Sequence, residues 1–433
     1  MSRSQPRKSE NGDLPDAPAL TGKWELCPAK DSSFLRGFQV QKNEVWSFFT
    51  IFAPCSRTLK QKRRYKSIFG YCNLRNMNFR RPHQNQQAGN RKLRRCFVIF
   101  LFMSSLVLLT SLTTPKASAY EDHSPIEIGS NTQFDEAHGV NGGGSGTEED
   151  PYIIENWAID ASSTHGIYIH DTTMYYIIRN CLIENSYGTS HNGIRLGDGS
   201  GSERNGRIEN CVLDNNSTAI YLYGDVSNVS IDNVTITNGS STGIAAGTSG
   251  SYYAYNIWIE NSRISNQPWA GIYSYGWNGS SAQNQNLTIK NNIIEFSGGG
   301  SGAGIYLRCS RNNLIENNVI HDSGSHGIWL RDHSSDTTIR NNRVYNNGGE
   351  AQIYVDWYGS GAVIDNNETY GSGRGIYLRR SPNSYIWNNT CHDGGDLIYL
   401  YDGSGGASIE NNLCYNGSNG IYCLLYTSPS PRD

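Results

Sequence analysis

Past residue 120 the chain is almost without lysine: Lys290 is the only one up to residue 422. That stretch holds 14 Lys and Arg against 32 Asp and Glu, a net of −18. A surface of that sign repels phosphate backbones and excludes nucleic-acid binding. No sustained helical period is present either, which excludes a helical architecture. Six cysteines lie beyond residue 120, at 181, 211, 309, 391, 414 and 423. Their spacings match no zinc pattern, so no metal site is expected.

Residues 1–119 carry the opposite sign, 21 Lys and Arg against 6 Asp and Glu, a net of +15. Such a split marks different compartments or different origins. An apolar run from Cys96 to Leu112 follows Arg91, Lys92, Arg94 and Arg95 and precedes Ala117-Ser118-Ala119. This reads as a secretory signal peptide over 77–119, starting at Met77 and cut after Ala119. The run is short for a stable span. The remainder is therefore expected outside the cytoplasm, secreted or at the cell surface, with membrane contact only through this segment. Residues 1–76 show no repeat, and read either as upstream sequence translated from a misplaced start or as a cytoplasmic extension. Residues 423–433, CLLYTSPSPRD, resemble a translated sequencing adaptor, so the natural chain is expected to continue past Tyr422.

Between these ends two short patterns recur. The first is Ile-x-Asn, with Ile at 154, 178, 208, 231, 259, 289, 315, 339, 364, 386 and 409. The second centres on Ile at 167, 194, 220, 244, 272, 305, 328, 353, 376, 398 and 421, usually after Gly or Ala and before an aromatic residue. Short alternating apolar segments separated by Gly, Asn and Ser are strands and turns. One such unit cannot bury its own apolar face, so units must stack. Like-on-like parallel stacking puts each Ile on the Ile below, about 4.8 Å away. The Asn two residues after the first Ile alternates with it and is expected to point inward, in a ladder of bonded amides. The residue that follows, often Asn again, is expected in the left-handed conformation of the turn.

With its opening Gly144-Ser-Gly-Thr-Glu-Glu-Asp-Pro-Tyr-Ile-Ile-Glu-Asn-Trp-Ala-Ile-Asp160, this repeat resembles the right-handed parallel β-helix repeat family, in its NosD-like and pectate-lyase-like branches. The resemblance implies an all-β, single-stranded parallel solenoid of about eleven rungs with an Asn ladder. Its expected parts are an N-terminal cap over 120–150 and the β-helix over 151–422. The NosD-like branch is associated with copper-site maturation, which wants soft sulfur or imidazole ligands. Met174 is the only Met beyond the signal and the His residues are scattered, so copper handling is not expected. Cys181 and Cys211, and likewise Cys391 and Cys414, fall in adjacent rungs. Parallel Cβ vectors suit S–S geometry poorly, so stacked thiols are expected rather than disulfides.

Function must lie on the outward residues. The position after the second Ile reads Tyr306, Trp329, Tyr354 and Tyr377. Two residues on come Arg308, Arg331, Asp356 and Arg379, beside Asp332, His333, Trp357 and Arg380. Aromatic faces stack on sugar rings and Arg forks carboxylates. Tyr306, Arg308, Trp329, Tyr354, Trp357, Tyr377, Arg379 and Arg380 are thus the candidate binding set for a polysaccharide or cell-surface glycan. Outward aromatics also hold stacked strands in register with no ligand at all. The fold hosts lyases, hydrolases, epimerases, adhesins and spikes. No Asp-Asp pair and no Gly-His-Gly of the polygalacturonase kind occurs after residue 120. The catalytic candidates are Asp332 and Asp356 as an acid/base couple, His333 as proton carrier and Arg331 beside them. The expected molecule is a monomer that binds glycan. Its rivals are a lyase or epimerase on the same face, with Ca²⁺ entering only in the lyase case, and a purely structural stalk or adhesin. The sequons at Asn228, Asn233, Asn278 and Asn286 admit some glycosylation.

Overall fold

A computed structural model describes residues 120–425, apart from 200–201, 248–252, 277–283, 299 and 301. The signal segment, residues 1–76, the sequon Asn278 and all but the first three residues of the adaptor-like tail lie outside the described residues.

Each rung is three short strands, as in Leu314–Glu316, Val319–His321 and His326–Arg331. Equivalent strands of successive rungs pair in parallel. They build a first sheet of 13 strands, a second of 12 and a third of 12. Among the described residues the only helix is a three-residue 3-10 turn, Glu136–His138. None of the helices there is long and apolar enough to cross a membrane. Residues 121–128 already supply strands: Glu121–His123 pairs with Trp157–Asp160, and Ile126–Ile128 with Ile167–Ile169. Phe134 and Val140, from the segment after them, join the core.

The register follows the two Ile columns. Ile289, Ile315 and Ile339 are direct partners in the first sheet, and Ile305, Ile328 and Ile353 in the third. All six are fully buried. Burying each such side chain is worth about 1.5–3 kcal/mol relative to leaving it in water. Summed over the rungs, this is what closes the solenoid.

The asparagines occupy two columns, and the expected assignment is reversed. The Asn two residues after the first Ile takes the left-handed conformation, with φ from +51° to +63° at 156, 180, 210, 233, 261, 291, 317, 341, 366, 388 and 411. From Asn210 on it is exposed. Some of these outer amides bond one another, as Asn291 Nδ2 does to Asn261 Oδ1 at 3.1 Å. The residue after it turns inward. Asn292, Asn318, Asn342, Asn367 and Asn389 are buried. Asn318 Nδ2 donates to Ile289 O at 2.9 Å and to Asn342 Oδ1 at 3.0 Å, and Asn342 Oδ1 also accepts the Asn318 backbone N–H. A left-handed residue flips the direction of the next side chain, so strict alternation fails at the corner. The inward amide then bonds the backbone that the corner leaves unpaired.

In the earlier rungs Cys181, Cys211, Val234 and Ser262 fill this inner column, all buried. Cys181 and Cys211 are free thiols, each 3.3 Å from the carbonyl oxygen two residues before it. Cys391 and Cys414 are register partners in the second sheet, also free.

Candidate functional site on the third sheet

The third-sheet strands Ala303–Arg308, His326–Arg331, Ala351–Asp356, Arg374–Arg379 and Asp396–Tyr401 present two outward columns. The inner-lying column is Tyr306, Trp329, Tyr354, Tyr377 and Tyr399, in direct register. It was expected as an exposed stripe, and it is not one: these rings are only 4–7% exposed. The strand spacing brings them into face-to-face stacks. Tyr306 and Trp329 lie 4.5 Å apart and 9° from parallel, and Tyr354 and Tyr377 4.5 Å and 7°. Each ring covers its neighbour, and Ala303 and Ala351 join the cluster from the side. The ring faces are therefore spent on one another, and only edges and polar tips reach a ligand. Burial pushes Tyr306 and Tyr354 above the usual phenol range and Tyr377 up to about 12.

The outer column is Tyr275, Arg308, Arg331, Asp356, Arg379 and Tyr401. Arg308 Nε is 2.6 Å from Asp332 Oδ2, and Arg331 Nε is 3.7 Å from the same oxygen. Arg380 pairs with Asp402 at 2.7 Å. Asp356 is 3% exposed and lies between Arg331 and Arg379 in register, with Arg379 Nε 4.0 Å from Oδ1. Desolvation, against the pull of the two guanidiniums, raises its carboxyl to about 6. Asp332 and Asp356 are thus each tied to arginine, Asp332 to Arg308 and Arg331 and Asp356 to Arg379. His333 stacks on Tyr358 at 5.0 Å, on the left-handed corner after the strand. Trp357 stands at the next corner with Arg380 over its ring at 4.4 Å and Arg379 at 5.6 Å.

Twelve residues singled out from the sequence therefore share one face, arranged as a buried aromatic spine and a charged rim. Two members were missed. His326 sits beside Trp329 and Tyr354, at 4.8 and 5.0 Å. Arg374 lies over Tyr377 and Tyr399, at 4.8 and 4.5 Å. Both stand two residues before the repeated Ile, an offset that strict alternation assigns to the core side; the intervening Gly327 and Gly375 face the core as the Ile does, which turns His326 and Arg374 outward. Four N–H donors on this face, Trp329 Nε1, Arg331 Nε, Arg374 Nε and Arg379 Nε, are buried with no hydrogen-bond partner, as is Asp356 Oδ1.

A parallel solenoid with this register defines the β-helix class. The chain belongs to the right handed beta helix region family, whose model matches residues 124–233 and 276–430. Solved structures are similar to the chain at low identity. The Azotobacter vinelandii mannuronan C-5 epimerase AlgE4 A-module is 16% identical, covers 63% of this chain and 87% of its own, and has a TM-score of 0.44. An alginate lyase from Paenibacillus sp. str. FPU-7 is 16% identical, covers 70% and 99%, and scores 0.44. PfbA, a surface adhesin of Streptococcus pneumoniae, is 15% identical, covers 64% and 85%, and scores 0.42. No curated protein sequence matches the chain.

Proposed function

We propose that the protein is an exported β-helix that binds an acidic polysaccharide along the third-sheet face, without turning it over. The observation that carries this reading is the set of buried donors without partners, Trp329 Nε1 and Arg331 Nε on one rung and Arg374 Nε and Arg379 Nε two rungs on, along one face. Buried polar groups without a partner are rare and call for a ligand or water. Guanidinium donors of this kind suit carboxylate groups on the polymer. Trp357 and Tyr358 at the rim, the latter 52% exposed, supply the accessible aromatic surface that the spine does not.

Polyuronates and their neutral counterparts on a glycan array, followed by calorimetric titration, test this. Acidic polymers should bind, and Arg331→Gln or Arg379→Gln should weaken binding by about tenfold or more. Equal binding of neutral polymers, or none at all, would overturn the reading.

One observation favours a second reading, a lyase or epimerase. Asp356 titrates near 6 between two arginines, as a proton-transfer group beside a bound sugar acid would. Ultraviolet absorbance of an unsaturated uronate product, lost in Asp356→Asn, would establish it in place of simple binding.

A further inference from the structure

Two corners at the N-terminal end of the solenoid bring together groups that the sheet face does not use. His170 and Asp171 follow the third-sheet strand Ile167–Ile169, and Asp198 follows Asn192–Leu196 one rung on. One ligand atom from each of His170, Asp171 and Asp198 lies within 4.8 Å of the others. His170 Nδ1 is 3.0 Å from Asp171 Oδ2, and its Nε2 is 3.6 Å from Glu127 Oε1.

A His-Asp corner with a nearby Glu is not in itself a site. His321 with Asp322 and Glu295, and His392 with Asp393 and Glu368, repeat it elsewhere as ordinary ion pairs. The N-terminal corner differs in two ways. It gains Asp198 from the adjacent rung, and it gains Glu203, which is fully buried. Glu203 Oε1 accepts the backbone N–H of Asp171. Its Oε2 is buried with no hydrogen-bond partner, on the side of Gly197, where an added Cβ would come within 2.8 Å of it. The Glu203 carboxylate is thus wedged between the two corners that carry Asp171 and Asp198. Burial and the neighbouring Asp171 and Asp198 hold its carboxyl up at about 7, although the Asp171 N–H draws it down. A buried carboxylate with an unpartnered oxygen, in a cluster that is already acidic, lacks a counter-charge.

We propose that His170, Asp171 and Asp198, backed by the buried Glu203 carboxylate beside them, bind a divalent first-row cation, Zn²⁺ or Mn²⁺, which clamps the corners of two successive rungs. The imidazole decides the class, since Ca²⁺ and Mg²⁺ take oxygen sets, whereas Zn²⁺ and Mn²⁺ accept mixed nitrogen and carboxylate ligands. His170 also lines a cavity of about 530 Å³ together with His123, Glu127 and His138.

The test uses the full chain, stripped with chelator and dialysed against ZnCl₂, MnCl₂ or CaCl₂, with metal content and melting temperature read in parallel. One equivalent of Zn²⁺ or Mn²⁺ should be retained, with a rise in Tm of about 5 °C or more at saturating ion. Asp198→Asn should abolish retention and the rise while the apo Tm stays near that of the parent. Glu203→Gln should weaken both. Asp322→Asn, at the corner that lacks the extra carboxylates, should change neither. No retained metal, a response to Ca²⁺ alone, or equal losses in Asp322→Asn and Asp198→Asn would each overturn the proposal.

Discussion

The early and late rungs of this solenoid solve the same packing problem with different materials. Around residues 181–262 the inner corner column is Cys181, Cys211, Val234 and Ser262, and the outward column runs Arg195, Tyr221 and Ala245. From residue 292 on, the corner is an unbroken amide ladder and the outward column an unbroken ring stack. The three sheets run through both regions with the same register. Neither ladder nor stack is therefore required for the fold. What the late rungs gain is uniformity, and it coincides with the face that carries the arginines and Asp356. A face with a fixed repeat along its length is what an extended polymer would need.

The contrast can be broken most forcefully at Trp329. Truncation to Ala removes a ring packed on both sides and should cost about 3–5 kcal/mol in urea unfolding. The half-buried Tyr168, in the early part of the same column, should cost less than half as much on truncation. Equal losses would mean that the stack adds nothing beyond burial. Asn342→Val, which copies Val234, comes next. It leaves the Asn318 backbone N–H, the Asn318 amide and Ile315 O without their partner and should cost about 2–3 kcal/mol. Asn342→Ser, which copies Ser262, should recover part of that loss.

Asp356 sharpens the comparison through pH. Its folded value of about 6 lies above the ordinary carboxyl value near 3.9, so between the two the folded state holds a proton that the unfolded state has lost. Stability then falls as pH rises from about 4 through 6, by about 3 kcal/mol in all, and levels off above about 7. Asp356→Asn should flatten this window in melts recorded across it. The smallest effect belongs to Arg380→Ala, which loses an exposed pair and should cost no more than about 1 kcal/mol. Arg179→Ala, which loses the early-rung pair with Glu155, should match it within error.

The interior was readable because it is periodic: two Ile columns, each in register, leave one closed arrangement. The ladder was readable in kind but displaced by one residue. Counting by twos assumes a strand, and the left-handed Asn at the corner reverses the face of whatever follows. Residues such as Tyr306 and Trp329 were placed on the correct face with the wrong exposure, because alternation gives direction while burial depends on what stacks on either side. Arg374 and His326 were missed because alternation assigns a residue two before the inward Ile to the core, and the inward Gly between them breaks that count. The meeting of Asp171, Asp198 and Glu203 was beyond it, since neither Asp198 nor Glu203 occupies a repeated position.

The uniform parallel register has a genetic side. Among the described residues the strands of each sheet pair in order with their equivalents one coil before and after, over segments of 22 to 30 residues. A recombination event that adds or removes one whole coil leaves each junction with the same Ile-on-Ile and Asn-on-Asn partners. The length of the molecule can thus drift by duplication and deletion without a new core having to be invented. Selection on reach then acts on copy number, while selection on recognition acts on the outward residues of a few coils.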